Sequence, residues 1–499
     1  MQQIIPGKSV KELDAAFIKD KGITSYKLME QAALAFCDWF VEQISPENDL
    51  AVFCGTGNNG GDGMAISRLL WERGYSVKVF IMGDPANGSK DFKLNHEVLP
   101  EAIPVQLVEN VNWENWKAKV IIDGVLGVGI NRPLEGAYLD LIKRLNNFPA
   151  KRIAIDMPTG LPSDEILEGE AFKAMFTVSF QFPKMALLFP EHASYTGELV
   201  IKDIGISPDY FETFEPKMYY LEKKDIPELH KSFDRFSHKG NFGKVMLIGG
   251  SYGKMGAVRM ASEAALRTGS GLVSCFVPRC GIQVLQSSLP EAMVEVSEQD
   301  HYLDEYPPDN LTRYDALGVG PGMGQHSKTA IMLEELLKLY KGPMVIDADG
   351  INLLASHPHL LNMLGHNIIL TPHLKEFERL AGACAHQRER VDKVAEFVEK
   401  FQCTIILKGA HSLIACPDGT LNFNSSGNAY LATGGAGDVL TGMITSFLGQ
   451  GYSPKEAAFC GVYHHGLAGE LAGKVNRRGT IASDIIAKIP QTYLQLGIH

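Results

Sequence analysis

The chain has 499 residues, with 47 Lys+Arg against 58 Asp+Glu for a net charge of −11, and is 45% hydrophobic and 21% charged. At ~100–200 residues per domain that length holds about two to four domains, each with a full core, and the composition excludes a disordered chain. The acidic balance and the lack of long basic runs exclude a dedicated nucleic-acid or anionic-membrane binder. Any anionic ligand must therefore be held by local backbone N–H groups. The 8 cysteines form no CxxC pair and sit mostly in apolar runs, which predicts reduced, buried thiols and no zinc site. The N-terminal residues carry no signal-peptide apolar region, and no stretch reaches ~18 uninterrupted apolar residues. A soluble, cytoplasmic protein is expected.

In chain order, helical spacing is visible at residues 9–19 and 25–43. Strand-like runs follow at Leu50–Cys54, Ser76–Met82, Val105–Val108, Lys119–Asp123, Arg152–Asp156 and Ala174–Phe180. Helical patterns at 62–73, 89–98 and 136–146 separate most of them. After a charged, aromatic-rich stretch the pattern restarts at Lys244–Ile248. It continues through Gly271–Val277, Ala316–Val319, Pro343–Asp347, Asn367–Leu370 and Thr404–Leu407, and closes on helices at 437–449 and 454–473. Glycine-rich clusters follow several of these strands, the pattern of parallel α/β sheets that bind ligands at the carboxyl ends of their strands. The predicted fold is α/β with two doubly wound domains, at 1–211 and 236–499, joined by a linker at 212–235.

In the first half, Gly55-Thr56-Gly57-Asn58-Asn59-Gly60-Gly61-Asp62-Gly63 follows a strand and opens a helix. It contains GxGxxG, a weak dinucleotide signal by itself. Asp62 in the first helical turn would oppose an anion, and two asparagines exceed what a pyrophosphate turn requires. Two further strand ends carry Asp123-Gly124-Val125-Leu126-Gly127-Val128-Gly129 and Asp156-Met157-Pro158-Thr159-Gly160. Convergence of Asn59, Asp123, Asp156 and Thr159 in one crevice would suit a hard cation.

This ordered trio of motifs resembles the epimerase domain of the NAD(P)HX repair enzymes, which act on nicotinamide coenzymes hydrated at C6. The resemblance spans about residues 1–211 and implies a Rossmann-like fold. It implies contacts to NADHX or NADPHX from Asn58, Asn59, Gly60, Gly61 and Asp62. Further contacts would come from Gly127, Val128, Gly129, Ile130, Asn131, Arg132, Pro133 and Asp156, with a potassium ion at Asn59, Asp123 and Thr159. Epimerisation needs a carboxylate that exchanges protons with the departing water, and Asp123 is the first candidate.

In the second half, Asn428 to Asp438 reads NAYLATGGAGD and runs into an apolar helix. Small residues at a helix start expose N–H groups to a transferring phosphate, and the aspartate after them can serve as base. No GxxxxGK[ST] is present, which excludes a P-loop NTPase. Lys408-Gly409-Ala410-His411 ends another strand and could hold nucleotide phosphates. The pairs His464-His465 and His357/His359 are expected to be structural.

The segments at 238–257, 316–324, 347–354, 369–380 and 428–444 resemble the ribokinase-like, nucleotide-dependent NAD(P)HX dehydratase. That resemblance implies nucleotide contacts at Lys408, Gly409, Ala410, His411, Ser412, Asn428, Thr433, Gly434, Gly435, Ala436 and Gly437. It implies hydrated-substrate contacts at Ala257, Gly322, His373 and Asp438, with Asp438 catalytic. It also implies ADP as donor, giving AMP and phosphate, with Mg2+ accompanying the nucleotide. A homo-oligomer is expected. The alternative is a hydroxymethylpyrimidine-type kinase fused to a non-catalytic Rossmann-like module.

Overall fold

The computed structural model describes the chain except residues 115, 216, 308–310 and 499. It divides into two compact units, one of residues 2–218 with 386–388 and one of residues 1, 219–385 and 389–499.

In the first unit, the strands are β1 (Leu50–Cys54), β2 (Val77–Ile81), β3 (Val105–Leu107) and β4 (Val120–Gly124), then β5 (Lys151–Ile155), β6 (Phe176–Phe180) and β7 (Glu198–Lys202). They form one sheet in the order β3-β2-β1-β4-β5-β6-β7, every neighbouring pair parallel. All five residues of β1 are buried, as expected of a strand covered by helices on both faces. The strand order reverses between β1 and β4, which opens a crevice at their carboxyl ends. Helices α1 (Val10–Lys21), α2 (Ser25–Gln43) and α3 (Asn58–Glu72) border that end. The Thr24 hydroxyl caps α2, and Ala33, Phe36, Cys37 and Phe40 form its buried stripe. Helix α3 starts at Asn58, four residues ahead of the expected 62, so Asp62 lies beyond the first turn.

The second unit adds β8 (Met218–Leu221), where the chain leaves the first unit, then β9 (Lys244–Ile248), β10 (Leu272–Val277), β11 (Met293–Val296), β12 (Ala316–Val319) and β13 (Met344–Ile346). It ends with β14 (Ile368–Leu370), β15 (Thr404–Leu407), β16 (Leu413–Ala415) and β17 (Leu421–Asn424). Their order is β8-β17-β16-β15-β14-β13-β12-β9-β10-β11. The sheet is parallel from β15 to β11, while β16 runs antiparallel to both its neighbours. Helix α4 (Met255–Thr268) and the largely buried α5 (Ala436–Gly449) cover one face. They pack so closely that a Cβ at Gly442 would lie 1.9 Å from the Ala261 carbonyl.

Six strands lack a counterpart in the periodicity: Gln2–Ile4, β7, β8, β11, β16 and β17. Strand β8 falls inside the stretch expected to be linker; Tyr220 and Leu221 are buried there, so residues 218–221 are sheet.

Two candidate active sites

Asp123, at the end of β4, is fully buried. Its Oδ1 accepts from Thr159 Oγ1 at 2.7 Å and Val125 N at 3.2 Å, and its Oδ2 accepts from Thr159 N at 2.8 Å. These bonds favour the carboxylate, yet burial still pushes its pKa up to about 6, and none of the groups acting on it is a cation. Beside it the Asn59 side chain is buried, with its amide nitrogen lacking a partner among the described residues.

Above this floor lies a cavity of about 1170 Å³ lined by Asn58, Asn59, Asp62, Asp156 and the run Val125–Pro133. Asp123 and Thr159 are absent from its wall, as are Gly60 and Gly61. A Cβ on Gly60 would stand 1.7 Å from the Gly55 carbonyl, and one on Gly61 would press on Met29 and Phe92. These glycines let α3 pack closely on the turn before it, on α2 and on the helix Lys90–Glu97.

The same wall carries Asp14, Asp91 and Lys184, none of them picked out from the sequence. Lys184 is only 2% exposed and pairs with Asp156 Oδ1. Its ammonium also reaches Ser179 Oγ at 3.1 Å and the Phe180 carbonyl at 3.2 Å. Asp156 holds φ at 61°, a left-handed conformation uncommon outside glycine. Its Oδ1 further accepts from Phe180 N at 3.0 Å and Ser179 Oγ at 3.1 Å. Burial, with the charges of Asp156, Asp14 and Asp91, raises the Asp62 pKa well above the carboxylate range. Burial raises Asp14 to about 6 against the pull of Lys184.

The second site is built at the carboxyl ends of β12 to β15. Asp347 follows β13, is 1% exposed, and pairs with Lys408 Nζ at 2.8 Å. Its other oxygen accepts from Thr441 Oγ1 at 2.6 Å. Lys408 follows β15, and its backbone forms a parallel bridge to His373. Helix α5 begins at Ala436 after Gly435 at φ 89°, a glycine conformation that turns successive N–H groups outward. A Cβ on Gly437 would lie 3.3 Å from Lys408 Nζ, whereas one on Gly434 meets nothing within 4 Å. Asp438 lies in the first turn of α5. Burial first, then the negative charges of Asp347, Asp349 and Glu376, raise its pKa to about 7, with Lys408 pulling it down.

Gly322, at φ 64°, packs against Ala257, where a Cβ would come within 3.1 Å, so those two expected contacts do adjoin. Asp349 joins the same end: Gly324 N donates to it at 2.9 Å and Lys254 pairs with it at 3.3 Å. His373 caps the helix Leu374–Ala381 through Lys375 N and Glu376 N, and its ring remains half exposed. His411 turns its Nδ1 to the Asn424 carbonyl at 3.2 Å, and Ser412 Oγ bonds the Gly409 carbonyl at 3.3 Å. Asn428 caps the short turn Ala429–Leu431 through Tyr430 N. Thr433 N donates to the Leu431 carbonyl at 2.8 Å, ahead of the glycines. His464 is structural as expected, fully buried between Thr492 and His230. Its neighbour His465 interacts with the Ala436 backbone and leaves Nε2 buried without a partner among the described residues.

No helix among the described residues is long and apolar enough to cross a membrane. Residues 245–491 match the family model described as NAD(P)H-hydrate dehydratase, and 25–186 match that described as YjeF-related protein N-terminus. A bifunctional NAD(P)H-hydrate repair enzyme of Moorella thermoacetica is 33% identical, over 98% of this chain and 96% of its own. One from Coxiella burnetii is also 33% identical, over 97% and 98%. Among solved structures, a ribokinase-like superfamily protein of Enterococcus faecalis superposes with TM-score 0.50 at 28% identity, covering 56% of this chain and 96% of that one. With both domain models in order and relatives aligned along nearly their whole length, the chain belongs to the family of bifunctional NAD(P)H-hydrate repair enzymes.

Proposed function

We propose that the first unit interconverts the C6 epimers of NADHX and NADPHX, and that the second dehydrates one epimer back to NADH or NADPH using ADP. The observation that carries the second assignment is Asp438, a carboxylate with its pKa raised to about 7 beside the open glycines of α5. Hydroxide leaves carbon poorly and phosphate leaves well. Asp438 takes the proton of the C6 hydroxyl as that oxygen attacks the terminal phosphorus of ADP, releasing AMP. The N–H groups of Gly434 to Gly437, with Lys408, stabilise the charge on the transferring phosphoryl oxygens. The lone pair on N1 then expels phosphate, and loss of a C5 proton restores the dihydronicotinamide.

Asp347, Asp349, Glu376 and Asp438 outnumber the two lysines that pair with them, Lys408 on Asp347 and Lys254 on Asp349, which fits a divalent metal. No group of three or more metal-ligating side chains converges among the described residues. The fit is therefore to Mg2+ held mainly by nucleotide phosphates, with Asp349 and Glu376 as its protein oxygens. Bound there, it would neutralise phosphate charge. In the first unit, a buried carboxylate acted on by no cation, with the Thr159 hydroxyl on it and the Asn59 side chain buried near it, offers oxygens that fit a monovalent ion. Asn59, Asp123 and Thr159 would hold potassium, which would offset the buried charge under the cavity. With its oxygens engaged and away from the cavity wall, Asp123 is assigned to that ion rather than to proton exchange.

The test is incubation of the protein with mixed NADHX epimers and either ADP or ATP, following NADH, AMP and phosphate. Recovery of NADH from both epimers, with one phosphate per NADH, is expected. A stable phosphoester in place of inorganic phosphate would instead establish a small-molecule kinase.

A further inference from the structure

The cavity of the first unit holds a carboxylate whose two oxygens are treated differently. Asp156 Oδ1 receives the Lys184 ammonium, Ser179 Oγ and Phe180 N. Its Oδ2 is engaged by none of the described residues, and Asp156 lines the cavity. Three donors on one oxygen fix the plane of the carboxylate and leave the other oxygen to the ligand. The left-handed backbone at Asp156 is the kind of local strain that persists only where the surroundings over-determine it. Lys184 is nearly fully buried, and its ion pair with Asp156 offsets the cost of burying it. The second acidic group on the wall is Asp62; burial first, then the charges of Asp156, Asp14 and Asp91, raise its pKa.

We propose that Asp156 and Asp62 are the base and acid of C6 inversion, and that Lys184 is the positioning residue that orients Asp156. The inference rests on the epimerase reading of the first unit. Such chemistry requires two groups that exchange protons at one cavity, and both carboxyl groups line this one.

The step balances as follows. Asp62 gives its proton to the C6 hydroxyl oxygen. The C6–O bond breaks with its electrons on that oxygen, which leaves as water, while the N1 lone pair forms the C6–N1 iminium. A water then bonds to C6, the iminium electrons return to N1, and the surplus proton passes to Asp156 Oδ2. Asp156 returns that proton to Asp62 through cavity water, which restores the starting state. Entry of water on the opposite face gives the other epimer.

The experiment measures epimer interconversion by the full-length protein, corrected for the rate without enzyme, by chromatographic separation of the two NADHX epimers. Asp156→Asn and Asp62→Asn are each expected to lower kcat at least about 100-fold, the usual scale for loss of a general acid or base. Lys184→Met should lose about 100-fold in kcat with KM changed less than about threefold, while Lys184→Arg keeps the charge and recovers at least about tenfold of that loss. Lys184→Met combined with Asp156→Asn, which leaves no unpaired buried charge, should be folded by its thermal transition and no faster than Asp156→Asn alone. Interconversion by Asp156→Asn or Asp62→Asn within about threefold of wild type would overturn the acid–base assignment. Equal kcat for Lys184→Met and Lys184→Arg would overturn the positioning role. Wild-type protein that fails to interconvert the epimers would overturn the epimerase reading itself, an outcome separable from the other two.

Discussion

The two glycine-rich turns of this chain look alike in sequence and serve opposite ends. Each follows a parallel strand and opens a helix. In the first unit most of the glycines face protein: a Cβ at Gly55 would lie 2.0 Å from the Val125 carbonyl, and one at Gly60 would lie 1.7 Å from that of Gly55, while only Gly57 is open. The cavity side of that turn is Gly57 with Asn58, Asn59 and Asp62. In the second unit Gly435 packs on Met260, but Gly434 opens to empty space and Gly437 faces only Lys408 and Asp347, so more of the backbone is left open. The first turn makes a cavity with amides and carboxylates on its wall; the second makes an anion cradle with a lysine beside it. A GxGxxG string does not tell these apart, because the spacing records only that backbone must come close to something.

The largest expected effect would confirm that the catalytic groups are separate. Asp438→Ala should lower dehydration by about 1,000-fold, the scale for loss of a general base, with epimer interconversion unchanged, as read by NADH formation and epimer ratios. The contrast in the glycines comes next. Gly60→Ala should destabilise the first unit by about 3 kcal/mol or more, since backbone cannot yield to the new methyl. Gly434→Ala should leave unfolding within about 0.5 kcal/mol and instead raise the KM for ADP. A reversed pattern in urea unfolding would break the comparison.

The pH response sharpens it further. Asp438 must be ionised to act, and its pKa is raised to about 7. Dehydration kcat/KM should therefore fall about tenfold per pH unit on the acid side of that value. Stability runs the other way. A carboxyl whose folded pKa exceeds its unfolded one favours the native state when protonated, and that contribution is lost as pH rises from about 4 to about 7. Asp438→Asn should accordingly melt higher than wild type at pH above about 7 while being inactive, a trade of stability for function. The smallest effect is expected at Thr159, whose hydroxyl bonds Asp123 at 2.7 Å. Thr159→Ser should epimerise within about threefold of wild type, whereas Thr159→Val, which leaves a buried oxygen unsatisfied, should lose potassium dependence and stability.

Much of the second site was legible because its parts are contiguous. Gly434 to Asp438 are neighbours in the chain, and a glycine run ahead of an apolar helix can be read directly. The first site was legible only in part. Asn59, Asp62 and Asp156 carry motif signals, but Lys184 lies in an apolar run that reads as core, and Asp14 and Asp91 lie on helices with ordinary polar spacing. Nothing local distinguishes a solvated lysine from one buried against an aspartate.

Sequence by itself determined the two α/β units, the strand ends that carry chemistry, and the residue types available at each. Periodicity and turn residues are local properties, so they survive without coordinates. Tertiary structure decided which glycines touch protein and which open to space, that Asp123 is absent from the cavity wall, and that Lys184 meets Asp156. Those outcomes depend on burial and on distances between distant parts of the chain, and it is burial that sets whether a carboxyl group carries a proton.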